Sequence, residues 1–384
     1  MKICFTNFSD LNEPTTINAF YIAEELARRG HEVTMLLPRM KSRYITESKR
    51  VRLKYFRAVG FPREFKIISQ TFIQTFRAVG EKFDIIQAFK PLVQSALPAV
   101  VAGKLRGSVK VLYWDDYEAY GQRLSPSSNP LYTFLVGRLE REFLKMFDGV
   151  LCISPFLANL ARAVLPRERV LLIPNGFDRN VFAARHSGKE IRKELGIKEK
   201  DNLVMYTGGL KPWADIDLLI QAMVYVIQEM PNSHLVLVGE GEAKYGLMHL
   251  CQQVGISGNV VFAGGVPHTE IPKYLAAADL LALPLRSNPF NEARFPNRIA
   301  EYMAAGKPIV TNRVGVAGDL FKDGRNAVVI DSDQPEEFAR GILRILMDKE
   351  KAKRLGIQAR KYAWNNLTWD KIALKVEEFY YKLL

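Results

Sequence analysis

Short apolar runs and stretches of helical periodicity alternate along almost the whole chain. In the first half, the apolar runs predict six strands, at residues 2–6, 32–37, 83–88, 109–114, 149–153 and 170–173. Between the first two runs, residues 17–29 carry apolar side chains at helical spacing, and Gly30 can end that helix. Ser154 and Pro155 are typical of a helix start, because Ser supplies an N-cap oxygen and Pro a preset first-turn dihedral angle. Strands that alternate with helices in this way predict a parallel sheet flanked by helices.

A second alternating series follows a change of composition. Residues 175–200 lie at a Pro-Asn-Gly turn and are charged and poorly apolar, which is typical of a linker. Six further strands are predicted at residues 203–207, 234–238, 259–263, 280–285, 308–311 and 327–330. The chain is therefore predicted to be an α/β protein with two doubly wound domains that face a central cleft, at residues 1–174 and 201–368. We expect a final helix, 369–384, to pack back on the first domain.

Composition narrows the class of protein without changing this picture. The 384 residues are 48% hydrophobic and 25% charged, which excludes disordered, collagen-like and coiled-coil chains. Cys4, Cys152 and Cys251 lie in apolar runs without metal-ligand spacing, so neither a disulfide framework nor a cysteine metal site is expected. No stretch resembles a signal peptide or reaches 18 apolar residues, and we therefore expect a cytoplasmic protein.

The formal net charge of +13 is concentrated in residues 41–80, which contain ten Lys and Arg against two Glu. Aromatic residues are interleaved with these charges, namely Tyr44, Tyr55, Phe56, Phe61, Phe65, Phe72 and Phe76. Two interpretations stay open. The stretch either binds an anionic surface, such as the face of a membrane, or forms a solvated helix whose aromatic side chains point inward. Nucleic acid is not an expected partner, since no helix-turn-helix, zinc-finger or RNP-like signature occurs.

Four motifs occur in a fixed order in the second half of the chain. They are IPNGFD at 173–178, LVLVGEG at 235–241, VVFAG at 260–264 and EYMAAGKPIV at 301–310. Together they resemble the retaining glycosyltransferases of family 4, the glycosyl transferases group 1, whose GT-B fold has two Rossmann-like domains. The resemblance covers nearly the whole chain. It implies transfer of a sugar from a nucleotide-sugar donor to a hydroxyl of a glycan or lipid-linked acceptor, with retained anomeric configuration and no metal or other cofactor.

For the donor site, the resemblance implies groups that hold a leaving nucleoside diphosphate. Such a site needs cations or backbone N–H groups at the phosphates and a carboxylate at the ribose. Glu301 matches the second glutamate of the family's E-x7-E motif, whose role is the ribose contact. Ala293 stands where the first glutamate is expected, so that Glu292 either takes this catalytic role or the role is lost.

The other expected donor-side residues are glycines, charged residues and their neighbours near these motifs: Gly208, Gly209, Lys211, Glu240, Gly264, Val266, Arg294, Phe295 and Arg298. Gly209 and Ala214 occupy the positions of the Arg and Lys that grip the diphosphate in the family, and Lys211 is the nearby cation expected to replace them. Arg294 or Arg298 either faces a phosphate or the sugar, or is a surface charge.

The acceptor side is expected in the first domain. The family's glycine-rich loop after the first strand is missing, and Thr15 or Thr16 in its place either caps the following helix or touches substrate. Asp115 and Asp116 end a predicted strand where relatives often carry a His-Asp pair near the transferred sugar, and we expect them to act in catalysis. His268 is expected to be structural.

These departures from the family pattern leave other functions open. One is a catalytically weakened GT-B protein that acts as a binding or regulatory partner of another transferase. The other is a nucleotide-sugar epimerase of the same fold, for which no set of acid and base residues can be assigned.

Overall fold

The computed structural model describes residues 1–11, 13–39, 48–60, 63–123, 130–184 and 186–384. It contains two compact units, each built on one parallel sheet. Unit 1 comprises Met1–Gly176, Ala293–Phe295 and Trp369–Leu384, whereas unit 2 comprises Phe177–Glu292 and Pro296–Thr368.

The sheet of unit 1 has seven described strands in the order β3-β2-β1-β4-β5-β6-β7, all parallel. Their bounds are β1 (Lys2–Thr6), β2 (Glu32–Pro38), β3 (Arg52–Phe56), β4 (Ile85–Phe89), β5 (Val109–Trp114), β6 (Gly149–Cys152) and β7 (Val170–Leu172). The described sheet of unit 2 has the order β10-β9-β8-β11-β12-β13, also parallel. Its strands are β8 (Asn202–Thr207), β9 (Ser233–Val238), β10 (Val260–Gly264), β11 (Leu280–Leu283), β12 (Ile309–Asn312) and β13 (Val328–Ile330).

Helices cover both sheets. Those of unit 1 before the second sheet are α1 (Pro14–Arg28), α2 (Arg63–Val79), α3 (Val93–Arg106), α4 (Glu118–Arg123), α5 (Pro130–Met146) and α6 (Pro155–Arg162). Those of unit 2 are α7 (Arg179–Ala183), α8 (Lys189–Glu194), α9 (Ile216–Glu229), α10 (Lys244–Gln253), α11 (Ile271–Ala277), α12 (Pro289–Ala293, whose last residue groups with unit 1), α13 (Arg298–Ala305), α14 (Gly315–Leu320), α15 (Pro335–Leu346) and α16 (Lys349–Asn366). The last helix, α17 (Trp369–Leu383), returns to unit 1. None of the helices in the described ranges has an apolar stretch long enough to span a membrane.

The twelve strands expected from the apolar runs are all present, and β3 is an additional one at the edge of the first sheet. Its sequence RLKYF mixes charged and aromatic residues, because an edge strand needs no buried face on both sides. Arg52 and Lys54 of β3 both pair with Glu81. Of the basic stretch 41–80, residues 41–47 and 61–62, including Tyr44 and Phe61, lie outside the described residues.

Two local predictions have clear outcomes. The Ser154 side chain accepts a hydrogen bond from the Leu157 N–H at 3.2 Å, so the predicted N-cap of α6 is confirmed. Of residues 175–200, for which the composition predicts a linker, Asn175 and Gly176 group with unit 1, whereas residues 177–184 and 186–200 group with unit 2 and include α7 and α8.

The helix α17 packs on α1 within unit 1. The rings of Tyr21 and Trp369 stack with centroids 5.5 Å apart. At the other end of α1, the Glu377 carboxylate accepts a hydrogen bond from Arg29 Nε at 2.5 Å and pairs with His31 Nε2 at 2.6 Å. A stacked aromatic pair and a buried carboxylate therefore hold the chain's last helix on its first one.

Candidate functional site

Glycine-rich turns end three neighbouring strands of unit 2. They follow β8 and β9 at residues 208–209 and 239–241, and they include the last residue of β10 at residues 264–265. Gly239 has φ +144°, and its N–H donates a hydrogen bond to the Gly264 carbonyl at 2.7 Å. A Cβ atom at Gly239 would lie 2.0 Å from the Gly208 carbonyl oxygen. Only glycine allows this close approach. The glycines of the three turns therefore leave backbone groups uncovered by side chains at the carboxyl ends of these strands.

The guanidinium group of Arg298 lies against the first of these turns. Its Cζ atom is 4.4 Å from the centroid of the Tyr206 ring, and a Cβ at Gly208 would lie 2.8 Å from Arg298 Nη2. Burial lowers the pKa of Arg298, but Tyr206, Tyr302 and Glu301 raise it above its usual value, so the group stays charged. Because Arg298 is also the first residue of α13, a fixed cation and a helix N-terminus coincide at this turn.

A buried tyrosine that the sequence analysis missed anchors α13 to β8. The hydroxyl of Tyr302 accepts a hydrogen bond from the Thr207 N–H at 2.8 Å, and the side chain is fully buried. Burial raises the pKa of Tyr302 to about 12. The start of α13, which carries Arg298 and Glu301, is therefore held rigidly at the end of the strand.

Glu301 pairs with a histidine for which the sequence suggested only a structural role. Its Oε1 atom lies 2.8 Å from His268 Nε2, in the loop that follows β10. The hydrogen bond to Glu301 raises the pKa of His268, whereas burial lowers it, and the pKa is raised on balance. The Glu301 side chain is 16% exposed and that of His268 is 45% exposed, so both remain accessible to a ligand.

The other expected donor-side residues of unit 2 lie around the same strand ends. The Glu240 carboxylate accepts a hydrogen bond from Lys244 Nζ at 2.8 Å, and a Cβ at Gly264 would lie 3.3 Å from Glu240 Oε1. Val266 is half-buried in the loop after β10. Lys211 Nζ is 5.7 Å from the centroid of the Trp213 ring, with 42% of its side chain exposed.

An ion-pair network that was not predicted from the sequence fixes the loop that carries Lys211. Asp215 has φ +54° and accepts hydrogen bonds from Arg286 and from Asn291 Nδ2. The Arg286 guanidinium makes a two-point contact with Asp217 at 2.8 and 2.7 Å. Arg286 follows the predicted strand 280–285, and a basic residue at a strand's carboxyl end is the signal that could have drawn attention to it.

Three further expected residues, Glu292, Arg294 and Phe295, lie on the segment between β11 and α13. Glu292 Oε2 accepts a hydrogen bond from the Gly315 N–H at 3.0 Å, at the start of α14. Arg294 and Phe295 group with unit 1 rather than with the predicted donor domain. The reason lies in Phe295, which is buried and whose carbonyl accepts a hydrogen bond from Asn175 Nδ2 at 2.8 Å.

In unit 1, a second polar cluster forms where β4 and β5 end. Asp115, directly after β5, is buried, and its Oδ2 accepts a hydrogen bond from Thr15 Oγ1 at 2.5 Å. Lys90, directly after β4, donates to Asp116 at 2.5 Å and to Glu118 at 2.7 Å, and its Nζ is 3.9 Å from Asp115 Oδ1. That Oδ1 atom is buried and has no hydrogen-bond partner among the described residues.

Thr15 and Thr16 lie inside the first turn of α1. The prediction that one of them caps this helix is wrong, because Glu13 is the N-cap residue and no side chain caps it. Thr16 is fully buried, and its hydroxyl donates to the Ser9 carbonyl at 3.4 Å. Of the two, only Thr15 joins the Asp115 cluster. Lys90, absent from the expected residues, joins it because β4 and β5 are neighbours in the sheet.

Burial sets the charge of this cluster. Burial and, to a smaller extent, Asp116 raise the pKa of Asp115, whereas Lys90 and Thr15 lower it, and the resulting pKa is about 7. Burial also raises the pKa of Glu140 on α5 to about 8, although its carboxylate accepts hydrogen bonds from the N–H groups of Glu118 and Ala119. Unit 1 therefore contains two buried acids whose pKa values lie near neutral pH.

The contribution of Asp115 and Glu140 to the stability of the folded protein is expected to fall as the pH rises from about 4 to about 8. Both acids hold a proton more tightly when folded than when unfolded, so their contribution is complete at low pH and disappears as the pH passes their folded pKa values. Asp115→Asn and Glu140→Gln should each flatten the dependence of the unfolding midpoint on pH. Thermal unfolding of the three proteins between pH 4.5 and 8.5 tests this, and unchanged slopes in both variants would contradict the burial of these acids.

Comparison with known proteins assigns the chain to a family. Residues 187–362 match the glycosyl transferases group 1, and residues 18–176 match the glycosyl transferase 4-like domain. The chain belongs to the group 1 glycosyltransferases, and the predicted family is confirmed.

Individual relatives agree with this assignment. An uncharacterized glycosyltransferase of Methanocaldococcus jannaschii is 29% identical over 246 residues, which is 62% of either chain. A GDP-mannose-dependent alpha-(1-6)-phosphatidylinositol monomannoside mannosyltransferase of Mycolicibacterium smegmatis is 24% identical over 89% of this chain and 88% of its own.

Solved structures confirm the predicted GT-B fold. Sucrose-phosphate synthase from Thermosynechococcus elongatus has a TM-score of 0.80 at 22% identity, over 100% of this chain and 99% of its own. Anabaena HepE in complex with UDP and glucose has a TM-score of 0.77 at 20% identity, over 98% of both chains. The enzyme is a GT-B glycosyltransferase.

Proposed function

We propose that the protein transfers a glycosyl group from a nucleotide-sugar donor to an acceptor hydroxyl, with retention of anomeric configuration and without a metal ion. The observation that carries the proposal lies in unit 2. Backbone without side chains at three strand ends, the guanidinium of Arg298 and the carboxylate of Glu301 occur together there. The exposed backbone and the Arg298 guanidinium are groups that bind phosphates, and the Glu301 carboxylate is a group that binds ribose hydroxyls.

The departing nucleoside diphosphate gains negative charge as the glycosidic phosphate bond breaks. A fixed cation stabilises that charge best, because it needs no reorganisation during the reaction. Arg298 meets this condition, since the Tyr206 ring and the turn at Gly208 hold it. Lys211, exposed on its loop, can add a second cation. Together they would replace the Arg and Lys that the family pattern has and this sequence lacks.

Two of the comparisons support an expectation for the base and the sugar of the donor. The mycobacterial relative uses GDP-mannose, and Anabaena HepE was crystallised with UDP and glucose. We expect a hexose carried by UDP or GDP. The mycobacterial relative acts on a phosphatidylinositol mannoside, which supports a glycan or lipid-linked acceptor for this enzyme as well.

The acceptor is proposed to bind at the Asp115 cluster of unit 1. Asp115, Asp116 and Thr15 offer hydrogen-bonding groups to sugar hydroxyls, and Lys90 holds the Asp116 carboxylate in one position. The Oδ1 of Asp115 has no hydrogen-bond partner among the described residues, and we propose that a hydroxyl of the bound acceptor pairs with it. The leaving phosphate itself, as the family resemblance implies, would take the proton of the attacking hydroxyl.

Nucleotide binding tests the donor half of this proposal. One of UDP, GDP and ADP should stabilise the protein by about 2.7 kcal/mol at a hundred times its Kd, measured by thermal unfolding. Lys211→Ala should weaken the binding of that nucleotide. Lys189→Ala, which removes an exposed ion pair with Glu199, should leave the binding unchanged. Stabilisation by none of the three nucleotides would contradict the proposal.

The reaction is tested with the matching nucleotide sugar and a mixture of lipid and oligosaccharide acceptors. The anomeric proton coupling of the product by NMR reports retention, and an unchanged rate in excess EDTA reports independence of metal. An inverted product, or a rate abolished by EDTA and restored by a divalent cation, would overturn that part of the proposal.

A further inference from the structure

The helix α2 presents an apolar face to solvent. Four of its side chains are largely exposed, Phe65 at 61%, Ile68 at 63%, Phe72 at 72% and Phe76 at 75%. Their spacing of three, four and four residues places them along one face of the helix. Within residues 65–79, where the structure describes the side chains, every exposed residue is one of these four.

The opposite face of α2 is polar and buried. Gln70 and Gln74 point into unit 1, where Gln74 Nε2 donates to the Asn7 carbonyl at 2.9 Å and to the Gln94 carbonyl at 2.6 Å. Gln74 Oε1 also accepts the Asn7 N–H at 3.2 Å, and Gln70 Nε2 donates to the Phe8 carbonyl at 3.0 Å. Rotating α2 to bury the phenylalanines would break these buried hydrogen bonds and leave their polar groups without partners. The hydrogen bonds of Gln70 and Gln74 therefore hold the apolar side of α2 towards solvent.

The same face of the sheet carries further exposed apolar side chains. The parallel connections through α2, α3 and α5 all run in one direction across the sheet, so their right-handedness places these helices on one face. Leu105 on α3 is 67% exposed, and on α5 Phe134, Leu135 and Leu139 are 62%, 48% and 43% exposed. We call the exposed apolar residues of α2, α3 and α5 the apolar face of unit 1.

The exposed charges on these helices and just before α2 are almost all basic. The exposed basic residues are Arg57, Lys104, Arg106, Arg138, Arg141 and Lys145. The one exposed acid on these three helices, among the side chains that the structure describes, is Glu142, which pairs with Lys145. A second copy of the chain would bring basic residues against basic residues, whereas anionic phospholipid complements them.

We propose that the apolar face of unit 1 inserts into the surface of an anionic bilayer, with Phe65, Phe72 and Phe76 among the acyl chains and the surrounding Lys and Arg at the phosphates. An α-helix of 17 residues is about 25 Å long, and interfacial helices bury their apolar side about 5–10 Å deep. This deepens the acceptor part of the proposed function and rests on it, because a lipid-linked acceptor is what an enzyme would reach at a membrane.

Vesicle binding tests the proposal without donor or acceptor. The full-length protein should co-sediment with vesicles of phosphatidylcholine and phosphatidylglycerol, and far less with phosphatidylcholine alone. Phe72→Gln combined with Phe76→Gln should lower the partition coefficient at least about tenfold, since burial of one Phe side chain is worth this much or more. The control, Tyr245→Gln combined with Met347→Gln, replaces exposed apolar residues of unit 2 and should bind as the wild type does.

Three results would overturn the inference. One is no binding to anionic vesicles, and another is equal binding by the Phe72/Phe76 variant. The third is a dimer by light scattering that the variant abolishes while vesicles are not bound, because then a second copy covers the face. The variant's fold is checked by its unfolding midpoint, which should not fall, since both phenylalanines are exposed. Vesicle binding in a protein that binds no nucleotide would leave this inference standing and the proposed function refuted.

Discussion

Gly239→Ala is expected to destabilise unit 2 by about 3 kcal/mol or more and to abolish nucleotide binding. Gly239 has φ +144°, where L-residues are strained, and the new Cβ would lie 2.0 Å from the Gly208 carbonyl oxygen. Neither atom can move aside easily, because β8 and β9 pair in continuous register up to Thr207 and Val238. Strain at such a position and overpacking cost about 1–3 kcal/mol each. Urea unfolding, followed by a probe in unit 2, measures the loss.

The matched control is Gly246→Ala in α10. A Cβ at Gly246 would meet nothing within 4 Å, and the residue lies inside a helix, where Ala is favoured over Gly by about 0.5–1 kcal/mol. This variant should be as stable as the wild type or more so. If Gly239→Ala behaved like Gly246→Ala, the close contact between the two glycine turns would be contradicted.

The strands and their parallel direction were largely predictable from the sequence, because buried strands of a parallel sheet are nearly continuous apolar runs. The run at residues 2–6 coincides with β1, and the twelve predicted strands differ from the observed ones by only one or two residues at either end. The strand β3 could not be predicted in this way. Its residues Arg52 and Lys54 interrupt the apolar pattern, and only pairing with β2 and with Glu81 makes the segment a strand.

The candidate site was predictable where the chemistry lies in a local motif and not where it depends on distant contacts. Glu301 and the glycine turns were found because motifs contain them. Lys90 was not, because its role depends on Asp116, which lies 26 residues further along the chain. The same holds for α2, because the sequence alone allows its aromatic residues either to face an anionic surface or to point inward. Phe65, Phe72 and Phe76 do not point inward, because Gln70 and Gln74 occupy the buried side of the helix.

Glu301→Gln is expected to weaken the binding of the donor nucleotide about 10- to 100-fold. In the proposed complex, the carboxylate accepts hydrogen bonds from the ribose hydroxyls, and hydrogen bonds to a charged group are worth about 1.5–3 kcal/mol. Glutamine keeps the shape of the side chain but not its charge. Titration calorimetry with UDP and GDP measures the change in Kd.

The pair with His268 allows a ribose contact to be distinguished from a structural role. Because the hydrogen bond to Glu301 raises the pKa of His268, that pKa should fall in Glu301→Gln, which NMR titration of the imidazole protons reports in the absence of nucleotide. A lowered pKa of His268 together with weaker nucleotide binding supports the ribose contact. A lowered pKa with an unchanged Kd would show that Glu301 serves only as the partner of His268. Glu337→Gln, at a surface ion pair with Arg340, should change neither quantity.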